Sequence, residues 1–422
     1  MAEQVSVRLQ VAGQQKALST VDIEGRRQVM DTLTFNSQES GWQEASVEIV
    51  DNPFNFDDKY FFTYPVRESL PLLILDKKEA NLYINAVYQS EPFFEVEHAD
   101  VGSVNYSGLD AYPMIVLAGL SSISEGLSQQ LSEYVRKGGT LFLFPPQEGD
   151  LSDLTSLNSR LGIDQPLGRI NEAVRADYMD TRHPIFGDVF QSLPRNMNLP
   201  SAKSYVRYSN LIRSSRRVLL KFENEDFFLA HYTVGAGQVF LSAVAAEEGS
   251  SNLVRHPLFV PIMYQSAFSS LRDQPLYYTL GREELINIQN SDSGTREGLR
   301  LRAGDREIIP DIRQTESGIR LFISDEAMKP GIYDLIRGSH LISKVAFNTN
   351  PSESDLSYLD DDMLEEVFPK RAFNLYDTGD NTLASEIKAA NYGVQLWKLC
   401  LILSLICLAA EILLLRYYGQ KT

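Results

Sequence analysis

The chain has 422 residues, 43% of them hydrophobic and 10% aromatic, enough apolar material for two to four domains with sizeable cores. Its formal charge of -17 and the lack of a basic stripe before the extreme C-terminus exclude a nucleic-acid face, which needs clustered Lys and Arg. Its two cysteines, Cys400 and Cys407, lie in the last apolar run, which excludes a disulfide framework and a cysteine-based zinc site in the rest of the chain. The acidity fits either a partner surface or solubility alone.

From its first residues, MAEQVSVRLQ, the chain alternates as a strand does and shows no signal peptide. Residues 1–68 repeat this pattern at Val5, Val7, Leu9 and Val11, at Val47 and Ile49, and at Tyr60–Phe62, with turns at Ala12-Gly13, Glu24-Gly25 and Ser40-Gly41. About five strands are expected, an immunoglobulin-like β-sandwich short of the usual ~7. It should leave an open edge that needs a partner strand.

Residues 69–272 predict one α/β domain. PLLILD (Pro71–Asp76), FFEVEHA, YPMIVLA and TLFLFPP read as buried strands, and KKEANLYINAVYQS and DLTSLNSRLGI as helices. The unit Tyr112–Pro146 is the clearest. Met114–Leu117 predicts a strand, and Ser122 with Glu125 forms a capping-box pattern that starts a helix near Ser122. Leu127, Leu131, Tyr134 and Val135 share one helical face, and Gly138-Gly139 supplies a left-handed stop before the strand Thr140–Phe144. A right-handed crossover then makes the two strands parallel. Val218–Ala245 reads as hairpin strands joined at Gly235 and Gly237, and His256–Leu271 as a closing helix.

Residues 273–372 return to short β runs, such as GIRLFIS and KVAFNTN, and predict a second β-sandwich. The acids Glu353, Asp355 and Asp360–Asp362 read as a solvated face, with a helix start near Ser357. A polar linker, 373–395, leads to an apolar segment, 396–418, in which Leu399–Leu415 is interrupted only by Ser404 and Glu411. Trp397, Tyr417 and Tyr418 stand where interfacial aromatics belong, so a transmembrane helix is expected. Lys and Arg are nearly balanced across it. A short cytoplasmic tail and an extracytoplasmic body are expected. Glu411 either snorkels toward the interface near Arg416 or makes a polar contact with another membrane helix.

Ligands of an open α/β sheet lie beyond the carboxyl ends of its strands. That places a possible crevice among Asp76, His98, Ser121, Ser122 and Ser124. Catalysis there lacks its usual signs. The run A-G-L-S-S is not a G-x-S-x-G nucleophile elbow, and helix capping explains its serines. The five histidines, His98, His183, His231, His256 and His340, form no H-E-x-x-H or H-x-H pattern. Gly235 and Gly237 lack the third glycine of a nucleotide loop, and Asp51, Asp57 and Asp58 lack EF-hand spacing. No catalytic residue, cofactor or metal site is therefore expected.

The ordered phrases DNPFNFDDKYFFTYPV, PLLILD, YVRKGGTLFLFPP, HPIFGDVF, GAGQVFLSAV, SNLVRHPLFVPIMYQ, FNTNPSESDLSYLDDDML and AAEILLLRYY resemble the C-terminal part of bacterial membrane proteins with the Bat aerotolerance-type N-terminal domain. The resemblance runs from about Ser40 onward and rests on the ordered set. It implies a glutamine-amidotransferase-like (flavodoxin-like) α/β domain without its catalytic cysteine, flanked by two sandwiches and closed by a transmembrane helix. It also implies an envelope protein associated with MoxR-type ATPases and von Willebrand A-domain proteins, linked to stress tolerance and not to a reaction. Two N-terminal transmembrane helices usual in the family are missing here, so a truncated or split product is expected.

Overall fold

The computed structural model describes residues 2–24, 27–37, 39–49, 58–77, 79–102, 104–187, 198–209, 215–271, 275–281, 285–289, 298–315, 318–322, 328–350 and 396–418. Residues 1–354 and 355–422 are separate compact units. Asp51, Asp57, the acids from Glu353 to Asp362, the helix start near Ser357 and the linker 373–395 fall outside the described residues.

In the first unit, β1 (Ala2–Val11), β2 (Gln14–Glu24), β3 (Gly41–Ile49) and β4 (Lys59–Val66) form one antiparallel sheet in the order β2-β1-β3-β4. Where a two-layered sandwich is expected, the described strands make a single layer. Its apolar face (Leu9, Val11, Ala45, Val47, Phe62, Tyr64) is covered by Leu33 and Phe35 of the β2–β3 connection. That connection contributes side chains in place of strands, which strand-period reading does not register.

A nine-stranded sheet follows. Its elements in chain order are β5 (Leu70–Asp76), α1 (Leu82–Gln89), β6 (Phe94–Asp100), β7 (Met114–Ala118), α2 (Glu125–Lys137), β8 (Thr140–Phe144) and α3 (Ser152–Leu161). Next come β9 (Pro166–Ile170), β10 (Val174–Met179), β11 (Ser201–Ala202), β12 (Tyr205–Tyr208), β13 (Arg216–Phe222), β14 (Phe227–Val234), β15 (Gly237–Ser242) and α4 (Phe259–Ser269). The sheet order is β11-β10-β13-β14-β15-β8-β7-β5-β6, with β9 and β12 paired separately. β15, β8, β7, β5 and β6 run parallel. As expected, β7 and β8 pair from Met114↔Thr140 to Ala118↔Phe144, and every residue in both is buried. Leu127, Leu131, Tyr134 and Val135 of α2 are buried against this sheet, and Gly138 ends the helix at φ 118°.

Gly235 and Gly237 serve close packing. A Cβ at Gly237 would lie 2.1 Å from the Val135 carbonyl oxygen and 2.4 Å from that of Gly139. The β14–β15 hairpin therefore presses its bare backbone onto the carboxyl end of α2, and the Ala236 N–H donates to the Arg136 carbonyl at 3.0 Å.

A third core lies between two further sheets. Their strands are β16 (Tyr278–Thr279), β17 (Leu285–Gln289), β18 (Leu299–Ala303), β19 (Arg306–Ile308), β20 (Asp311–Thr315), β21 (Gly318–Phe322), β22 (Gly331–Arg337) and β23 (His340–Asn348). The orders are β16-β23-β22-β18-β19 and β17-β21-β20. This layer closes one edge of the N-terminal sheet. Asn348 clamps the outward backbone of β4, its Oδ1 accepting from the Phe61 N–H at 2.7 Å and its Nδ2 donating to the Phe61 carbonyl at 2.8 Å. The Thr63 N–H donates to the Leu276 carbonyl at 2.8 Å, and Lys344 Nζ reaches Glu44 at 2.5 Å.

In the second unit the described segment is α5 (Trp397–Tyr418), which is long and apolar enough to cross a membrane. At 1.5 Å per residue its apolar stretch spans roughly 30 Å, the thickness of a hydrocarbon core. The molecule is thus a mixed α/β protein with extensive sheets and a C-terminal apolar helix.

Candidate functional site

The parallel strand order reverses between β5 and β7. β5 leads through α1 to β6 on one side, and the chain then returns to β7 and β8 on the other. The carboxyl ends of these strands carry every crevice residue predicted from the sequence.

Asp76 ends β5 and is 4% exposed. Its Oδ2 accepts from the Asn81 N–H at 3.0 Å and lies 3.5 Å from His98 Nδ1. Burial pushes its carboxyl above the ordinary Asp range, and the Asn81 N–H and His98 only partly oppose that shift. His98 comes from β6, is partly exposed, and places Nε2 2.8 Å from Asn85 Oδ1 on α1. Both ring nitrogens of His98 are therefore directed at protein groups.

Asn81 organises this corner. Its Oδ1 caps α1 by accepting from the N–H groups of Tyr83 and Ile84, and its Nδ2 donates to the Ala246 carbonyl at 3.0 Å. One residue thus joins the end of β5, through its backbone N–H, to the loop after β15, through its side chain. At the rim, Glu248 of that loop accepts from the Tyr83 hydroxyl and pairs with Arg255 at 2.5 Å. The Tyr83 contact and the cation hold the Glu248 carboxyl below its usual range.

Across the reversal, α2 starts two residues later than the capping-box pattern predicts. Ser124 is the N-cap, accepting from the Leu127 N–H at 3.2 Å, and its hydroxyl lies 3.2 Å from that of Tyr106. Ser121 and Ser122 are exposed. The cause lies outside the local sequence. The Ile123 N–H is held by Asp153 of α3 at 2.9 Å, and Glu125 pairs with Arg160 of α3 instead of turning back to a cap at Ser122. Between the strand ends, Leu120 and Ile123 are 5% and 6% exposed. A Cβ at Gly119, whose φ is 71°, would lie 3.5 Å from the Pro145 carbonyl oxygen. The chain directly after β7 is thus buried at Leu120 and Ile123 and packs against the loop after β8.

The structure therefore brings Asp76 and His98 together, assigns Ser124 to a helix cap and leaves Ser121 and Ser122 at the surface. Asn81 is legible as a cap before an apolar helical run. Asn85 and Glu248 carry no local signal, because His98 and Tyr83, which they meet, lie 13 and 165 residues away, and Arg255 is placed by Glu248.

A second histidine group has no sequence signal either. The rings of His183 and His231 stand 5.0 Å apart, edge to face. Burial, helped by His231 and Arg217, pushes His183 down to about 4. Among the described residues no group of three or more His, Cys, Asp or Glu side chains could hold a metal ion. Glu411 lies on α5 in the last turns before Arg416.

No family model and no curated protein matches this chain. Solved structures with partial likeness include a cytoplasmic protein from Salmonella typhimurium, 12% identical, covering 47% of this chain and 98% of its own, with a TM-score of 0.36. A thua-like protein from Bacteroides uniformis is 14% identical over 49% of this chain and 94% of its own, with a TM-score of 0.37. A GMP synthase protein from Thermoplasma acidophilum is 10% identical over 49% of this chain and 96% of its own, with a TM-score of 0.32. Each of the three aligns with about half of this chain, and likeness at this level carries no functional argument.

Proposed function

We propose that the chain is a non-enzymatic, membrane-anchored assembly protein of the bacterial envelope. The observation that carries this reading is the carboxyl edge of the parallel strands. There Asp76, Asn81, His98 and Ser124 use their polar groups on one another and on helix caps. A catalytic base instead needs a ring nitrogen or carboxylate aimed at a substrate proton. The apolar α5 supports anchoring, and the body lies outside the cytoplasm of the inner membrane with a tail of a few residues inside. The phrase order from DNPFNFDDKYFFTYPV to AAEILLLRYY supports membership of the Bat aerotolerance-type group. On that reading, von Willebrand A-domain proteins and MoxR-type ATPases are the partners, and the role is stress tolerance.

The test is affinity capture of the full chain from gently solubilised native membranes, with mass spectrometry of what co-purifies. Stoichiometric von Willebrand A-domain or ATPase partners are expected. Recovery alone with a retained small molecule would overturn the assembly reading. It would favour the second one, a sugar or other small-molecule site at the crevice, for which the buried Asp76 beside a partly exposed His98 speaks. In that case His98→Ala should abolish retention.

A further inference from the structure

The two edges of the N-terminal sheet are unlike. β4 contains Pro65 and has its outward backbone groups taken by Asn348 and Leu276. β2 is the other edge. It is 11 residues long and contains no proline, and its one bulge, the register shift against Leu9/Gln10 of β1, falls near the turn and makes Lys16 of β2 the extra residue. Prolines, bulges, charged side chains and covering loops are the usual protections of an edge; among the described residues β2 has no proline and no bulge from Ala17 to Glu24, while Asp31 of the β2–β3 connection bonds the Ser19 side chain on the half-buried face. It also presents Leu18 at 57% exposure on its outer face.

We propose that two copies of this chain pair antiparallel through β2, with the two-fold axis at Ser19. The sequence of β2, QQKALSTVDIE, is complementary to itself in that register. Lys16 of one copy stands opposite Asp22 of the other, twice by symmetry. Leu18 stands opposite Thr20 and Ala17 opposite Val21. Lys16, Leu18, Thr20 and Asp22 are all exposed, whereas Ala17, Ser19, Val21 and Ile23 are half-buried on the other face. Directly opposed residues of antiparallel strands share a face, so each face of one sheet continues into the like face of the other. Opposite charges in directly opposed positions favour the pairing, and shifting the strand by one residue sends the half-buried set to the wrong face. Overlap centred on Ser19, regular from Lys16 to Asp22 where exposed and half-buried residues alternate, places both Lys–Asp pairs on the outer face and keeps Leu18 away from Asp22. Closed two-fold pairing also consumes the edge and leaves nothing for a third copy. Strand addition buries little side-chain area, so the dimer is weak in dilute solution, and confinement of both copies to one membrane would strengthen it. This pairing is independent of what the α/β region recruits and can fail or hold without it.

The test uses the full chain in detergent and in nanodiscs, with sedimentation velocity to measure dimerisation. Lys16→Glu and Asp22→Lys should each weaken the dimer about tenfold or more at low salt, because each turns both attractions into repulsions. The double variant Lys16→Glu/Asp22→Lys should restore it to within about threefold of the parent. With Cys400 and Cys407 replaced by serine, Ser19→Cys should oxidise to a cross-linked dimer, since opposed Cα atoms at ~4.5–5.5 Å fit a disulfide. Gln14→Cys should not, as its two copies lie ~34 Å apart. A chain that stays monomeric in nanodiscs, or a dimer indifferent to Lys16 and Asp22 and so held elsewhere, overturns the proposal. So does a β2 edge found occupied by a strand of another protein.

Discussion

Asp76 and Asp164 are both buried carboxylates of the same α/β region, and they are satisfied in opposite ways. Asp164, in the loop after α3, is fully buried and meets Arg216 at 2.8 Å, Ser209 Oγ at 3.0 Å and the Tyr232 hydroxyl at 2.7 Å. Its charge is matched by a guanidinium and its lone pairs by hydroxyls. Asp76 has one backbone N–H within hydrogen-bonding distance and a histidine nitrogen at 3.5 Å. A buried carboxylate without a matched cation shifts toward its neutral form, whereas a paired one becomes part of the frame. The first arrangement ties β13, β14 and the chain after β12 together. The second leaves a buried carboxyl pushed toward its protonated form at the end of β5.

The largest expected effect is on the paired side. Asp164→Ala leaves the Arg216 guanidinium buried without its carboxylate partner and should cost about 3–5 kcal/mol, read as a loss of thermal stability of the solubilised chain. A loss below ~1 kcal/mol would place Asp164 in the same class as Asp76.

His183 carries the contrast to a basic group. Its folded value of about 4 lies below the ordinary 6.5, so its contribution to stability is complete above pH 6.5 and disappears as pH falls toward 4. At 1.36 kcal/mol per unit this amounts to about 3 kcal/mol. His183→Asn keeps an acceptor for the Ile185 N–H, which His183 Nδ1 now holds at 3.2 Å. That variant should flatten this part of the pH–stability curve, and an unchanged curve would mean that His183 does not stay neutral in the fold.

Asp76→Asn should have the smallest effect, within about 1 kcal/mol, because the amide oxygen still accepts from Asn81. Its sign depends on pH. The folded value of Asp76 lies above the unfolded one, so its contribution is fully present below the ordinary Asp range and is lost as pH rises through the raised folded value. The variant should therefore gain on the parent as pH rises from 4 to 8, as measured by denaturant unfolding at each pH. A constant difference would mean that the carboxyl is already compensated.

The same division runs through what the chain discloses residue by residue. The β7–α2–β8 unit is legible because its signals are local: a short apolar run, apolar residues on one helical face, and a glycine stop. The start of α2 differs by two residues because Ser122 and Ser124 are both adequate caps, and Asp153 and Arg160 of a different helix choose between them. Asp76 and His98 are legible as crevice residues from strand ends, but their being neighbours follows from β5 pairing in parallel with β6.

By itself, the sequence determined the alternation of strands and helices and the apolar helix at the C-terminus. Each follows from residue type and short-range periodicity, which act within a few residues of the chain. Only the tertiary structure decided which polar groups are already used. Asn348 closes the β4 edge from 287 residues away, and Asn81 reaches across 165 residues to Ala246. Tyr232 meets Asp164 across 68 residues. Those partners are chosen by how three cores pack and by the high cost of burying an unpaired polar group, and neither has a signature at the positions that meet.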